Sequence, residues 1–458
     1  MYENGLFIFR RDLRIVDNNG LNLLNSNCKN VYTIFIFTPE QVGSGNHYKS
    51  NNAVQFMIES LKDLESEISK HGGKLHIFYG SNNKVISDCI KALNIDCVGF
   101  NLDYTPYAVE RDSKIYELCK TLGVTCEPST DYYLHEPGTV LSGSTEPYKK
   151  FTPYLQAALK QKVQAPANLH KIKFEKSGIR LLNTISLADA FSRFTKSNDN
   201  ILVHGGRSEA IDILHKALKT QKHYEKTHNE LEKQTTHLSA YIKFGCISIR
   251  EVYKAFRTNR EFIRQLIWRD FFASVLYFFP YALGKPLKPK YVNVKWHKNT
   301  RWVDSWKKGE TGFPVVDAGM RELNETGYMH NRARLIVAAF LTKILLIDWR
   351  EGEKYFSTKL TDYDPASNNL NWQWCASSGN DSQPYFRILN PWRQQEEYDT
   401  DATYIKNWVP ELKDLPSKDI HNWNTTWETY KTTVKYPKPI CIYEEQKEKA
   451  IAMFKAIY

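Results

Sequence analysis

Two hydrophobic periodicities alternate along the chain, and the change from one to the other divides it. Over the first 130 residues, the short apolar runs Leu6–Phe9, Val31–Phe37, Lys74–Tyr79 and Cys97–Leu102 have strand composition. Between the later runs, Asn52–His71, Lys84–Leu93 and Ala108–Leu122 repeat apolar residues near the 3.6 spacing of a helix. Alternation of this kind predicts βαβ units and a Rossmann-like parallel α/β domain, with any ligand at the carboxyl ends of the strands. Gly72-Gly73 is a turn, because no G-x-G-x-x-G opens a helix there. From 131 to 200 the pattern weakens and Pro137, Gly138, Gly143, Pro147, Pro153 and Pro166 punctuate it, so a long surface connector is expected. From Ile201 onward the helical period dominates, most clearly in Ser208–Thr220, Ile247–Arg257, Arg260–Phe279, Val315–Thr326 and Arg332–Asp348. The last of these contains Leu335–Leu341, apolar nearly all round, which predicts a helix buried on every side with Trp349 anchored at its end. The expected organisation is an α/β domain over 1–130, a connector over 131–200 and an all-helical domain over 201–458.

Composition narrows the partners. The chain has 458 residues, enough for two or three domains, and 42% of them are hydrophobic, enough for sizeable cores. The formal net charge is +11, which favours an anionic partner such as nucleic acid. Most of that excess lies in Tyr241–Arg301, where thirteen Lys or Arg stand against Glu251, Glu261 and Asp270. Trp268, Phe271, Phe272, Tyr277 and Trp296 interleave with these charges, as in a phosphate-lined groove with stacking platforms. The eight cysteines form no C-x-x-C and read as free thiols of a reducing compartment, with no metal site. Leu6–Phe9 runs straight into Arg10-Arg11-Asp12, too short for a signal peptide, and no apolar run approaches membrane-spanning length. A monomer in the cytoplasm or nucleus is expected.

The candidate chemistry is concentrated between Trp349 and Trp374. Asp362, Asp364, Asn368, Asn369, Asn371 and Gln373 share this stretch with Trp349, Trp372 and Trp374. Buried amides and carboxylates are costly without partners, so the mixture suits a site for a polar aromatic cofactor that moves electrons and stacks on flat ligands. On a helix, Trp372 and Trp374 lie about 200° apart, so that one ring can face a buried cofactor and the other an open cleft. Gln265, Trp268 and Arg269 share a helix face, as a cleft wall or as core. Arg332 and Arg334 enter the apolar helix beside Asn331 and need acceptors, for which Asp362 and Asp364 are candidates. Thr235-Thr236-His237-Leu238-Ser239 precedes a helix, either as a plain cap or as an anion site. Trp296 is either a packing residue or the surface end of a chain of rings.

Taken in order, these motifs resemble the photolyase/cryptochrome family over almost the whole chain. The likeness rests on Phe9-Arg10-Arg11-Asp12-Leu13-Arg14, Tyr148–Pro153, Thr235–Gly245, Gln265–Phe271, Thr311–Met320, Gly327–Leu335, Asp348–Gly352 and Asp362–Pro391. It implies an α/β antenna domain, a connector and an all-helical domain that binds FAD. Tyr224 and Thr235, Thr236, His237, Leu238 and Ser239 would hold the flavin phosphates. Phe262, Arg269, Asn331, Arg334, Asp362, Asp364 and Asn368 would complete the cofactor site, with Arg334 paired to Asp362 and Asn368 facing flavin N5. Trp372, Trp349 and Trp296 would relay electrons from cofactor to surface.

The implied reaction is light-driven repair of cyclobutane pyrimidine dimers in UV-damaged DNA. Asn368, Gln265, Asn331 and Arg334 would serve the chemistry, and Gln265, Trp268, Arg332, Leu335, Trp374 and Gln394 would meet the lesion and its flanking phosphates. Gln265 stands where the class I enzymes resembled here carry Glu, and Leu335 stands where they carry Met. A cryptochrome photoreceptor and a six-four photolyase are the alternatives. The chain's end at Tyr458 and Asn368 both favour repair. A second, antenna chromophore is expected as folate, deazaflavin or flavin, or its site as empty.

Overall fold

A computed structural model describes residues 1–168, 171–382 and 384–457. Its first part is a five-stranded sheet, all parallel, made of β1 (Tyr2–Phe9), β2 (Cys28–Phe37), β3 (Leu75–Tyr79), β4 (Cys97–Asn101) and β5 (Thr125–Ser129). The strand order is β3-β2-β1-β4-β5. In β1 every residue from Gly5 to Phe9 is buried, the continuous pattern of a strand covered on both faces. Strand β5 escapes sequence reading because Thr-Cys-Glu-Pro-Ser is a half-buried edge, where Pro128 needs no ladder partner for an N–H. The helix Asn19–Asn27 is also unforeseen. Its composition is polar, and the Asn18 side chain caps it by accepting from Leu21 N–H.

The expected connector contains two helices, Phe151–Ala158 and Leu187–Phe194. Its extended parts are bonded to the sheet, with Val31 N–H donating to Lys173 O at 2.8 Å and Ile185 N–H to Ile77 O at 3.1 Å. Proline and polar residues hide this docked strap from periodicity, since main-chain bonds carry no side-chain pattern.

The helical part matches the expected elements at Arg207–Thr220, Ile249–Ala255, Arg260–Phe278 and Pro314–Thr326. One expectation needs correction. The apolar helix does not run to Asp348. It spans Asn331–Ala339, widens into a π turn at Phe340–Ile344 and breaks where Leu346 takes φ 58°. Trp349 opens a new helix, Trp349–Lys359, because the Asp348 carboxylate accepts from Arg350 N–H at 3.0 Å and caps it. Another helix, Pro365–Cys375, begins in the same manner with Asp364 as cap and proline as its first residue.

Two apolar cores meet in this region. One extends from the sheet face (Phe7, Phe9, Phe35) to Phe262, Ile267 and Phe271 of the Arg260–Phe278 helix. The other gathers Trp306, Ile336, Trp349 and Trp372. Among the described residues no helix is long and apolar enough to cross a membrane, and no His/Cys/Asp/Glu group is arranged to hold a metal.

A buried ionic knot joins the sheet to the helices. Asp131 receives Arg14 Nη2 at 2.6 Å and Arg250 Nη2 at 2.7 Å, while Arg250 Nε reaches Asp17 at 2.9 Å. Burial alone would raise the Asp131 pKa, but Arg14 and Arg250 outweigh it and hold the carboxyl below the ordinary aspartate range. Its contribution to stability is therefore complete above that range and fades as pH falls through the depressed value. Asp131→Ala strands two buried guanidinium groups and is expected to cost about 3–5 kcal/mol in urea unfolding. A loss below about 1 kcal/mol would mean that water already shares these charges.

Candidate functional site

A cavity of about 420 Å³ lies along the seam between the two cores. Gln265, Trp268 and Arg269 form part of one wall from a single helix face, as their spacing predicts. Tyr224, Thr236, Leu238, Ser239, Phe262, Asn331, Arg334, Leu335, Asp362, Asp364 and Trp374 also line it, all of them expected from sequence. A smaller adjoining cavity of about 100 Å³ shares Asn331, Arg334, Leu335, Asp362 and Asp364 and adds Asn368 and Trp372. The combined space falls in the range of cofactor sites.

Paired charges shape the wall. Arg334 Nη2 meets Asp362 Oδ2 at 2.9 Å, as expected. Asp364 pairs with neither Arg332 nor Arg334. Its carboxylate takes Arg11 Nη2 at 3.1 Å, from just beyond β1, and also caps its own helix by accepting from Ser367 N–H at 3.0 Å. Burial alone would raise the Asp364 pKa, yet Arg11 and Arg269 hold it low. Arg332 turns away from the cavity, donating to Asn229 Oδ1 at 2.7 Å and lying 4.2 Å over the Tyr398 ring. Arg269 Nη1 donates to Tyr132 O at 2.6 Å, while its Nη2, like Asp362 Oδ1, is buried without a partner. A donor and an acceptor without partners, on residues that line a cofactor-sized cavity, fit a polar cofactor such as FAD.

The Thr235–Ser239 segment is not a plain cap. The helix Ser239–Phe244 has Leu238 at its cap position with no side-chain bond. Thr235 Oγ1 instead lies 2.9 Å from Tyr328 Oη, outside the cavity lining. His237 takes φ 53° and packs edge-on to Tyr328 at 5.1 Å, and burial pushes its pKa down to about 4. Asn368 Nδ2 donates to Glu353 Oε1 at 3.0 Å and to Glu353 O at 3.1 Å, so a buried carboxyl on another helix orients this amide. Nothing in the local sequence marks Glu353, or the cavity residue Lys243, as part of the site.

The tryptophans divide as their helical spacing predicts. Trp372 is 2% exposed and Trp374 is half-buried on the cavity wall. Trp372 lies over Gly352, where a Cβ would come within 2.1 Å of the ring. Trp349 is one turn before Gly352 on the same helix. Trp296 is half-buried against Phe454 at 5.8 Å, and the next residue donates its N–H at 2.8 Å to the carbonyl of Leu346, three residues before Trp349. Trp306, unforeseen, packs edge-on to Trp372 at 6.1 Å. Trp268 has one face covered by Phe151 at 3.6 Å. Gln394 is 8% exposed, because its helix turns that side inward and leaves Arg393 outside, so a direct phosphate contact does not suit it.

Residues 6–170 match the DNA photolyase model, and residues 262–456 match the FAD binding domain of DNA photolyase. The chain belongs to the DNA photolyase family. A deoxyribodipyrimidine photo-lyase of Halobacterium salinarum is 34% identical over 476 residues, covering 98% of each chain. An archaeal photolyase from Sulfolobus tokodaii, crystallised with two FAD molecules, superimposes with TM-score 0.89 at 39% identity, over 99% of this chain and 100% of that one. A Synechocystis cryptochrome superimposes with TM-score 0.90 at 26% identity, over 99% of both chains. This photolyase-family protein therefore carries an FAD-binding domain, and the seam cavity lies largely within it.

The close approach of Trp372 to Gly352 gives a direct test of the wall's packing. Gly352→Ala forces the ring or its helix to move and is expected to lower stability by about 1–3 kcal/mol in denaturant unfolding. An unchanged midpoint would show that the Trp372 ring is not seated there.

Proposed function

We propose that this protein repairs cyclobutane pyrimidine dimers in UV-damaged DNA under blue light, with Trp268 and Trp374 stacking on a dimer flipped out of the duplex. One observation carries the reading. Both rings line the same half-open cavity as Arg269, Arg334, Asp362 and Asp364, so a lesion on the rings would lie beside a flavin held by those charges. Bound FAD, when reduced and excited, supplies the electron that opens the cyclobutane ring. The protein's part is to hold, orient and keep water out. Flipping requires a pocket beside basic residues, and Tyr241–Arg301, which carries most of the net charge, lines part of this cavity. Phe151 stiffens Trp268 from behind. Gln265 commits one amide N–H to Glu261 Oε1 at 2.8 Å and keeps the second for a pyrimidine carbonyl. Asn331 and Arg334 complete the polar rim, and Leu335 supplies an apolar contact.

Asn368 favours repair over photoreceptor signalling, and neither Asn331 nor Leu335 supplies the histidine proton donor of six-four enzymes. Trp372, Trp349 and Trp296 form the relay by which the flavin is recharged. The two FAD molecules of the Sulfolobus relative favour a flavin among the antenna pigments expected for the α/β unit.

Illumination of the reduced protein with oligonucleotides carrying each photoproduct tests the reading. Restored thymines from the cyclobutane substrate and an unchanged six-four substrate are expected, and the opposite pattern would overturn it. Trp268→Ala is expected to weaken damaged-DNA binding by about 1–3 kcal/mol, and an unaltered binding curve would assign Trp268 to packing alone. Trp372→Phe is expected to slow photoreduction of the oxidised flavin and to spare repair by already reduced protein. Equal photoreduction rates would exclude this relay.

A further inference from the structure

The Ser239–Phe244 helix carries Lys243 into the large cavity, one turn beyond Ser239. Its immediate neighbour is the Phe244 ring, 3.5 Å from Nζ, and among the described residues no acceptor is shown for the ammonium. The charges around it are Arg11, Asp364, Asp103 and Asp362. Each of these carboxylates already has an arginine. Arg11 binds both Asp103 and Asp364, and Arg334 binds Asp362. With Arg269, four cations (Arg11, Arg269, Arg334 and Lys243) meet three carboxylates (Asp103, Asp362 and Asp364), so this group carries one surplus positive charge, and burial pushes the Lys243 pKa down to about 7. A surplus positive charge on a cavity wall is costly to hold, and a wall that holds one suits an anion.

We propose that Lys243 is the counter-charge for the flavin ring in its reduced form. The inference rests on the FAD reading above. Two electrons and one proton convert the neutral oxidised ring to a dihydro ring with one net negative charge. A cation in the cavity wall therefore binds the reduced form more tightly than the oxidised one and raises the midpoint potential. The diphosphate is the other anionic part of the cofactor, and the resemblance gives it Tyr224 and the Thr235–Ser239 segment, of which Tyr224, Thr236, Leu238 and Ser239 line the cavity. The acids acting on Lys243 are Asp364, Asp103 and Asp362, and the resemblance places Asp362 and Asp364 around the ring system and ribityl chain.

The two roles separate in a reductive titration of the FAD-loaded protein with dithionite and mediator dyes, alongside the affinity of apoprotein for oxidised FAD. Lys243→Met is expected to favour the oxidised form by tenfold or more, a fall of about 30 mV in the two-electron midpoint for each tenfold. Oxidised FAD should bind Lys243→Met within about threefold of the unaltered chain, because the ring it presents is neutral. Lys243→Arg should keep the original midpoint. An unchanged midpoint with weaker oxidised-FAD binding overturns the proposal and assigns Lys243 to the diphosphate, as does loss of oxidised-FAD binding in both Lys243→Met and Lys243→Gln. No change in either measurement also overturns it. Failure of the unaltered chain to take FAD at all would count against the cofactor reading itself.

Discussion

Carboxylates at the seam of two apolar cores are tolerable only if each meets a cation, and this requirement organises the site. Asp362 is held by Arg334 from within the helical part, and Asp364 by Arg11 from the end of β1. The second pair spans 353 positions of sequence. It makes the α/β unit part of the cofactor wall, because without Arg11 the Asp364 carboxyl would lose its ion pair. Removing one partner of such a pair costs far more than the pair contributes, so both units must be folded for the cavity to persist.

Position between two cores also accounts for the mixed lining. The Arg260–Phe278 helix belongs to the core that reaches the sheet, and Leu335 and Trp374 pack on the other. Where the two fail to close on each other, aromatic faces and paired charges are left facing one space. Trp372 seals the inner end against Gly352, and Trp374, two residues on, is turned to the open side. The same helix therefore separates a buried ring suited to electron relay from a half-exposed ring suited to stacking on a base.

Features encoded within one helix were legible in the sequence. The shared face of Gln265, Trp268 and Arg269 and the opposite settings of Trp372 and Trp374 follow from helical geometry alone. The Arg334–Asp362 pair followed from the need for an acceptor. Contacts that depend on tertiary approach were not legible: Arg11 on Asp364, Glu353 on Asn368, Phe151 on Trp268 and the unpaired Lys243. No local period links these residues. The break before Trp349 was hidden because its capping aspartate sits in a run that reads as one apolar helix, and the inward turn of Gln394 because a lone polar residue does not declare its face.

The claim beneath this account is that one cavity holds a flavin and a dimer swung out of the double helix. Fluorescence of 2-aminopurine placed opposite the dimer reports that movement directly, since the probe brightens when its partner leaves the stack. A rise is expected on binding the FAD-loaded protein, saturating with the binding curve and absent from undamaged duplex. Tight, lesion-specific binding with no change in probe emission would contradict it.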